Sequence, residues 1–161
     1  MAHAVHPNYA TVHEEKHRPM LHQGMVIKHN AKQRYATSSL SAVLLREIAI
    51  EAGVPVQEFV VRQDSLCGST IGPMLSASTG MRTVDVGLPQ LSIHSIREAR
   101  DVHFILSSPE VPRQHSLTPL WCTALCGVQM CGTDDISYGI QLFTHFYNAF
   151  PSFDERLSTG E

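Results

Sequence analysis

The stretch GMVIKHNAKQRYATSSLSAVLLREIAIEAGVPVQEFV, residues 24–60, decides the fold. It opens at Gly24 with a short apolar run that reads as a strand and sets Lys28 at its polar end. Leu40, Val43, Leu44 and Ile48 then recur at helical spacing, with Thr37 or Ser38 placed to cap the helix start. Gly53 supplies a left-handed stop and Pro55 bars continuation. The run QEFVVRQD that follows is a second buried strand. Strand, helix and strand in this order are one α/β repeat.

The pattern continues downstream. CGSTIGPMLSASTG, residues 67–80, combines a glycine-rich turn with a short helix from about Thr70, and MRTVDVGLP, residues 81–89, reads as a third strand. QLSIHSIRE follows as a turn into another segment. This alternation predicts an α/β sheet with helices on its faces. Ligands of such sheets gather at the carboxyl ends of the strands. Lys28, the GSTIGP turn and His94 each lie just past an expected strand, which places them at one cleft.

Residues 99–129 break the rhythm with Pro109, Pro112, Pro119, Trp121 and two cysteines, and they hold no sustained period. A structureless connection of that length is uncommon inside a compact domain. Order returns at Asp134 and Asp135, which suit a helix N-terminus. Ile136, Ile140, Phe143, Tyr147 and Phe150 then form an apolar stripe, expected to face the core and to end at Pro151.

Composition narrows the function classes. The 161 residues fit one domain, and 43% hydrophobic with 17% charged residues is a globular balance. A net charge of -3 gives no electrostatic reason to expect nucleic acid or an anionic membrane. No apolar run approaches the ~20 residues of a membrane span. The amino-terminal residues from Met1 lack the pattern of a secretory signal. Cys67, Cys122, Cys126 and Cys131 show no paired metal or redox spacing, so a reduced, cytoplasmic setting is expected. Of ten histidines, His13, His17, His22 and His29 sit in a polar stretch and read as a solvated loop. His3 and His6 have the apolar neighbours Ala2, Ala4 and Val5, and spacing alone leaves their role open between structure, metal and substrate. A histidine-rich metal buffer would need several zinc ions bound across residues 3–29.

Four stretches go beyond pattern. MAHAVHPNY, KQRYAT, CGSTIGP and VDVGLPQLSIHSIRE stand in this order, and together they resemble the aspartyl aminopeptidases, the M18 family of zinc exopeptidases. The resemblance runs closely over residues 1 to 98 and resumes from Met130 to Leu157. It implies an enzyme with two Zn2+ per site that removes an N-terminal Asp or Glu from peptides and works as a homo-oligomer. It implies a partial three-layer αβα exopeptidase-like sheet with helices on both faces. His94 matches a zinc ligand, His3 a substrate contact near the scissile carbonyl, and Lys28 and Tyr35 substrate-binding groups. His6 takes a supporting role in the same motif.

Chemistry agrees with those roles. A substrate whose first side chain is a carboxylate needs a fixed cation in an enclosed pocket, which an ammonium such as Lys28 supplies. Tyr35 can donate to a carboxylate or a developing oxyanion. A zinc-bound imidazole hands its second nitrogen to an acceptor, and Asp85 or Glu98 is near enough to His94 in sequence to serve. GSTIGP either lines the pocket with backbone donors or forms a plain tight turn.

In the family, the residue before MAHA is a zinc-binding aspartate, and the remaining ligands lie further toward the amino terminus. The general-base glutamate is therefore expected upstream of Met1, and the resemblance assigns no catalytic acid or base within residues 1–161. It implies that these residues are the C-terminal portion of the catalytic domain, with an apparent insertion at 99–129 that is an unspliced intron or a surface loop. The expected activity of such a portion alone is nil. The rival expectation is a non-catalytic fragment that associates with full-length subunits and modulates them.

Overall fold

The computed structural model describes residues 2–91, 93, 130–131 and 133–159. Strand β1 (Ala2–His3) leads into a 3-10 helix (Pro7–Val12), β2 (Met25–His29), α1 (Ser39–Glu51) and β3 (Val56–Val60). Then come α2 (Gly72–Thr79), β4 (Val86–Gly87), β5 (Pro89–Leu91), β6 (Met130–Cys131) and α3 (Thr133–Thr159). Met1, His94 and the apparent insertion at 99–129 lie outside the described residues. The expectation of a general base upstream of Met1 accordingly concerns a group that the described residues do not include.

The expected alternation is present, with one difference in how the strands pair. Two three-stranded sheets occur, ordered β3-β2-β4 and β1-β5-β6. In the first, β2 runs parallel to β3 with Lys28 opposite Phe59, and antiparallel to β4. In the second, β1 is parallel to β5 and β6 antiparallel to it. The expected single third strand is split at Leu88: Val86–Gly87 serve one sheet and Pro89–Leu91 the other. A one-residue break therefore joins the two sheets.

Local signals account for α1. Ser38 accepts from the Ser41 N–H while the Ser41 hydroxyl answers the Ser38 N–H, a reciprocal cap of the first turn. Gly53 follows the helix at φ +66°, before Pro55. The buried face is Ala42, Leu45, Ile48 and Ala49, rotated from the expected stripe, so Leu40 and Val43 are exposed. A similar rotation applies to α3. Ile136 and Leu142 are buried, and Tyr138, Phe146, Phe150 and Phe153 pack on the core, whereas Ile140, Phe143 and Tyr147 are exposed. The helix also runs through Pro151 to Thr159 rather than ending there. Pro151 costs one internal hydrogen bond, and the aromatic packing of Phe146, Phe150 and Phe153 on either side holds the helical course.

The main core joins Met25 and Ile27 of β2 to Ala42, Leu45, Ile48 and Ala49 of α1 and Leu142 of α3. Each fully buried Ile or Leu contributes about 1.5–3 kcal/mol. Asp135 does more than complement a helix dipole. It is fully buried, and its carboxylate accepts the Gly24 N–H at 2.7 Å and the His22 N–H at 2.8 Å. Burial raises its pKa, and these two bonds counter that. The first turn of α3 thereby fixes the entry to β2, the strand that bears Lys28. Replacing Asp135 by Ala strands two backbone donors, so Asp135→Ala is expected to cost about 2 kcal/mol in a urea unfolding measurement.

Candidate acidic-side-chain pocket

Lys28 lies one residue from the carboxyl end of β2, where the pattern of the strand turns from buried to half-buried. Its Nζ stands 5.4 Å from the centre of the Tyr35 ring. Burial lowers the Lys28 pKa below that of a solvated lysine, and the nearby Asp85 and Cys67 push it back up. Tyr35 reaches this position because the chain turns at Asn30–Gln33, where Gln33 takes φ +56°. Burial, foremost, and then Cys67 raise the Tyr35 pKa far above that of free tyrosine, so its hydroxyl keeps its proton. Tyr35 Oη and Cys67 Sγ form a hydrogen-bonded pair at 3.2 Å, and the thiol also lies 3.2 Å from the Gly68 carbonyl.

The CGSTIGP turn is anchored on the same segment. The Thr70 N–H donates to the Arg34 carbonyl at 3.1 Å, and the Ser69 hydroxyl reaches that oxygen at 3.3 Å. Behind both lies Asp85. Its carboxylate accepts the Ala36 N–H at 2.7 Å, its carbonyl accepts the Lys28 N–H at 2.9 Å, and its N–H donates to Thr37 Oγ1 at 2.9 Å. Sequence left Asp85 as one possible partner of His94; in the structure its carboxylate serves the Tyr35 segment.

His3 sits on β1, whose Ala2 packs with Val26, Phe59 and Tyr35 in a second small core. The carbonyl of His3 is held by His13 Nε2 at 3.0 Å. A carbonyl can only accept, so Nε2 of His13 carries the proton. His13 is 6% exposed and stands edge-on to Phe59. It is thus a buried strut rather than part of a solvated loop, and its signal was missed because Phe59 and His3 are remote in sequence. His17 and His29 are half-buried, while His22 is exposed. His6 caps the 3-10 helix by accepting the Asn8 N–H, a structural role.

Lys28, Tyr35, Cys67 and Asp85 therefore come together, while His3 is exposed beside Ala2, the residue of β1 that packs on Tyr35. Of two clefts among the described residues, neither is lined by Lys28, Tyr35 or Asp85, and the smaller reaches the cluster through Cys67. The smaller, about 90 Å³, is lined by Lys32, Arg34 and Cys67 among others. The larger, about 280 Å³, is lined by Thr11, His13, Glu14, Glu15, Arg18 and Arg62 and shares no residue with the cluster. No group of three or more His, Cys, Asp or Glu placed to hold a metal ion occurs among the described residues.

The profile of the family described as aminopeptidase I zinc metalloprotease (M18) matches residues 1–108. The chain belongs to the M18 peptidase family. An M18 relative from Ricinus communis, a probable aspartyl aminopeptidase, is 46% identical over 98% of this chain and 26% of its own length. Aspartyl aminopeptidase 1 of Schizosaccharomyces pombe is 44% identical over the whole chain and 28% of its own length. The chain thus spans about a quarter of the length of these curated relatives. Among solved structures, one titled as a complex of Ape4 and Nbr1 matches 97% of the chain and 24% of its own, at 44% identity and TM-score 0.75. The crystal structure of prApe1 matches 98% of the chain and 26% of its own, at 25% identity and TM-score 0.74. The M18 fold in this chain is α/β, with helices packed on mixed sheets.

Proposed function

We propose that residues 1–161 contribute the pocket by which an aspartyl aminopeptidase recognises an acidic N-terminal residue. The observation that carries this reading is the half-buried Lys28 ammonium over the ring of Tyr35, whose hydroxyl is hydrogen-bonded with Cys67. A half-buried ammonium and hydroxyl favour a carboxylate over an apolar side chain. Charge-assisted hydrogen bonds of this kind are roughly twice as strong as neutral ones. Membership of a zinc peptidase family supports the reaction type, peptide hydrolysis at the amino terminus.

In this proposal Lys28 and Tyr35 hold the substrate side chain, and His3 faces the scissile carbonyl at the end of β1. His94 is the zinc ligand supplied by this chain, and two Zn2+ per site complete the centre. The two small sheets belong to a three-layer αβα exopeptidase domain. The remaining ligands and the general base come from family sequence upstream of the position of Met1, so the chain alone turns nothing over. Self-association in the cytoplasm completes the proposal; the exposed row Ile140, Phe143 and Tyr147 of α3 supports the association.

The test is turnover of aspartyl and leucyl anilides with added zinc. The chain is assayed alone and after joining to the amino-terminal part of the S. pombe relative. The expected result is no turnover alone and aspartyl-selective turnover once joined. Leucyl preference in the joined protein would contradict the pocket assignment.

A further inference from the structure

Deepening the reading above, we propose that Asp85 is a positioning residue, setting Lys28 and Tyr35 for an acidic side chain while making no contact with substrate. Two segments meet on it through three hydrogen bonds. Its carbonyl is bonded to the Lys28 N–H, its carboxylate to the Ala36 N–H, and its own N–H to the Thr37 hydroxyl. The two residues that follow Tyr35 and the backbone of Lys28 are therefore tied to one aspartate. A third segment closes its seat. Gly72, the first residue of α2, approaches so near that a Cβ there would lie 2.3 Å from Asp85 Oδ2. The second glycine of GSTIGP is thus explained: it leaves space for this carboxylate.

The electrostatics give Asp85 a second effect. A lysine taken out of water sheds its proton more readily, and an adjacent carboxylate reverses part of that change. Asp85 does this for Lys28, together with Cys67. Tyr35 is the other titratable group facing the ammonium, and on the β3 side Lys28 pairs with the uncharged Phe59. Asp85 also disfavours ionisation of Tyr35. One half-buried carboxylate thus favours the protonated form of both donors.

The test uses the 161-residue protein and its Asp85→Asn variant, which keeps the shape and removes the charge. Lys28 acylation by an amine-reactive ester is followed against pH by peptide mass mapping, with and without L-aspartyl amide. In Asp85→Asn the midpoint of Lys28 reactivity is expected to fall by about one pH unit. Protection by L-aspartyl amide is expected to weaken several-fold, up to ~10-fold, at pH 9 and to change less than about twofold at pH 6, where Lys28 is charged in both proteins. Gly72→Ala, which crowds the carboxylate without removing its charge, is expected to weaken protection at both pH values.

An unchanged Lys28 midpoint in a folded Asp85→Asn protein would overturn the inference. So would full protection in Gly72→Ala, which also decides the matter if Asp85→Asn fails to fold. If the midpoint moves but aspartyl and leucyl amides protect equally, Asp85 holds its assigned role and the acidic-substrate reading is the one that fails.

Discussion

Lys28→Met in the joined, active enzyme is expected to lower kcat/KM for an aspartyl anilide about 10²-fold, while a leucyl anilide changes less than about twofold. Methionine retains most of the stem and its packing and removes only the charge. A 10²-fold loss is about 2.7 kcal/mol, within reach of one charge-assisted contact in a partly desolvated pocket. Steady-state kinetics on both substrates separates this from general damage, which would lower both. The pH dependence has a definite sign. Burial puts the Lys28 pKa below that of a solvated lysine, so aspartyl selectivity declines on the alkaline side before the usual lysine range is reached. For stability the same shift acts in the opposite direction: a base with a depressed folded pKa destabilises the fold where it is charged, and that penalty lifts as pH rises through the folded value.

The second large effect belongs to Gly24. It enters β2 at φ +91°, and a Cβ there would stand 1.9 Å from the Pro55 carbonyl oxygen. Gly24→Ala combines backbone strain with a clash against backbone, and neither can be relieved by a rotamer change. It would also disturb the two bonds that lock this point, from Gly24 N–H to Asp135 and from Gln57 Nε2 to the Gly24 carbonyl. The expected loss is about 4 kcal/mol, a large share of the stability of an ordinary domain. Gly53 provides the comparison. It also has positive φ, at +66°, but a Cβ there meets nothing within 4 Å. Gly53→Ala should therefore cost only about 1 kcal/mol. Urea midpoints for the two variants separate the clash from the strain.

Much of the local structure was legible because its causes are local. Ser38 and Ser41 cap α1 within one turn, and Gly53 with Pro55 ends it within three residues. Which face each helix buries was less legible. Leu40 and Val43 compete with Leu45 for the inner side of α1, and Ile140 with Leu142 on α3. Apolar residues stand on adjacent faces in both helices, so periodicity alone does not choose between them. Packing of α1 against α3 makes the choice. The split of the third strand at Leu88 turns on which sheet each half joins, and no residue in VDVGLP states that.

The candidate pocket divides in the same way. Lys28 and Tyr35 were marked by family motifs and stand together in space. Asp85 and His13 act through bonds that span 49 and 10 residues. Their spacing bears no periodic or motif signal. Asp135 was read as a helix-end charge because that is its local meaning; its bonds to His22 and Gly24 cross more than a hundred residues.

The central claim is that the ground between Lys28, Tyr35 and Cys67 takes a carboxylate. Its most direct test is an NMR titration of the protein with L-aspartyl amide and, separately, L-leucyl amide, reading the Lys28 ammonium, the Tyr35 ring and the Cys67 amide. Saturable shifts at all three with the aspartyl ligand, and none with the leucyl ligand, are the predicted result. Equal responses to both ligands, or aspartyl-induced shifts confined to residues outside this trio, would contradict it.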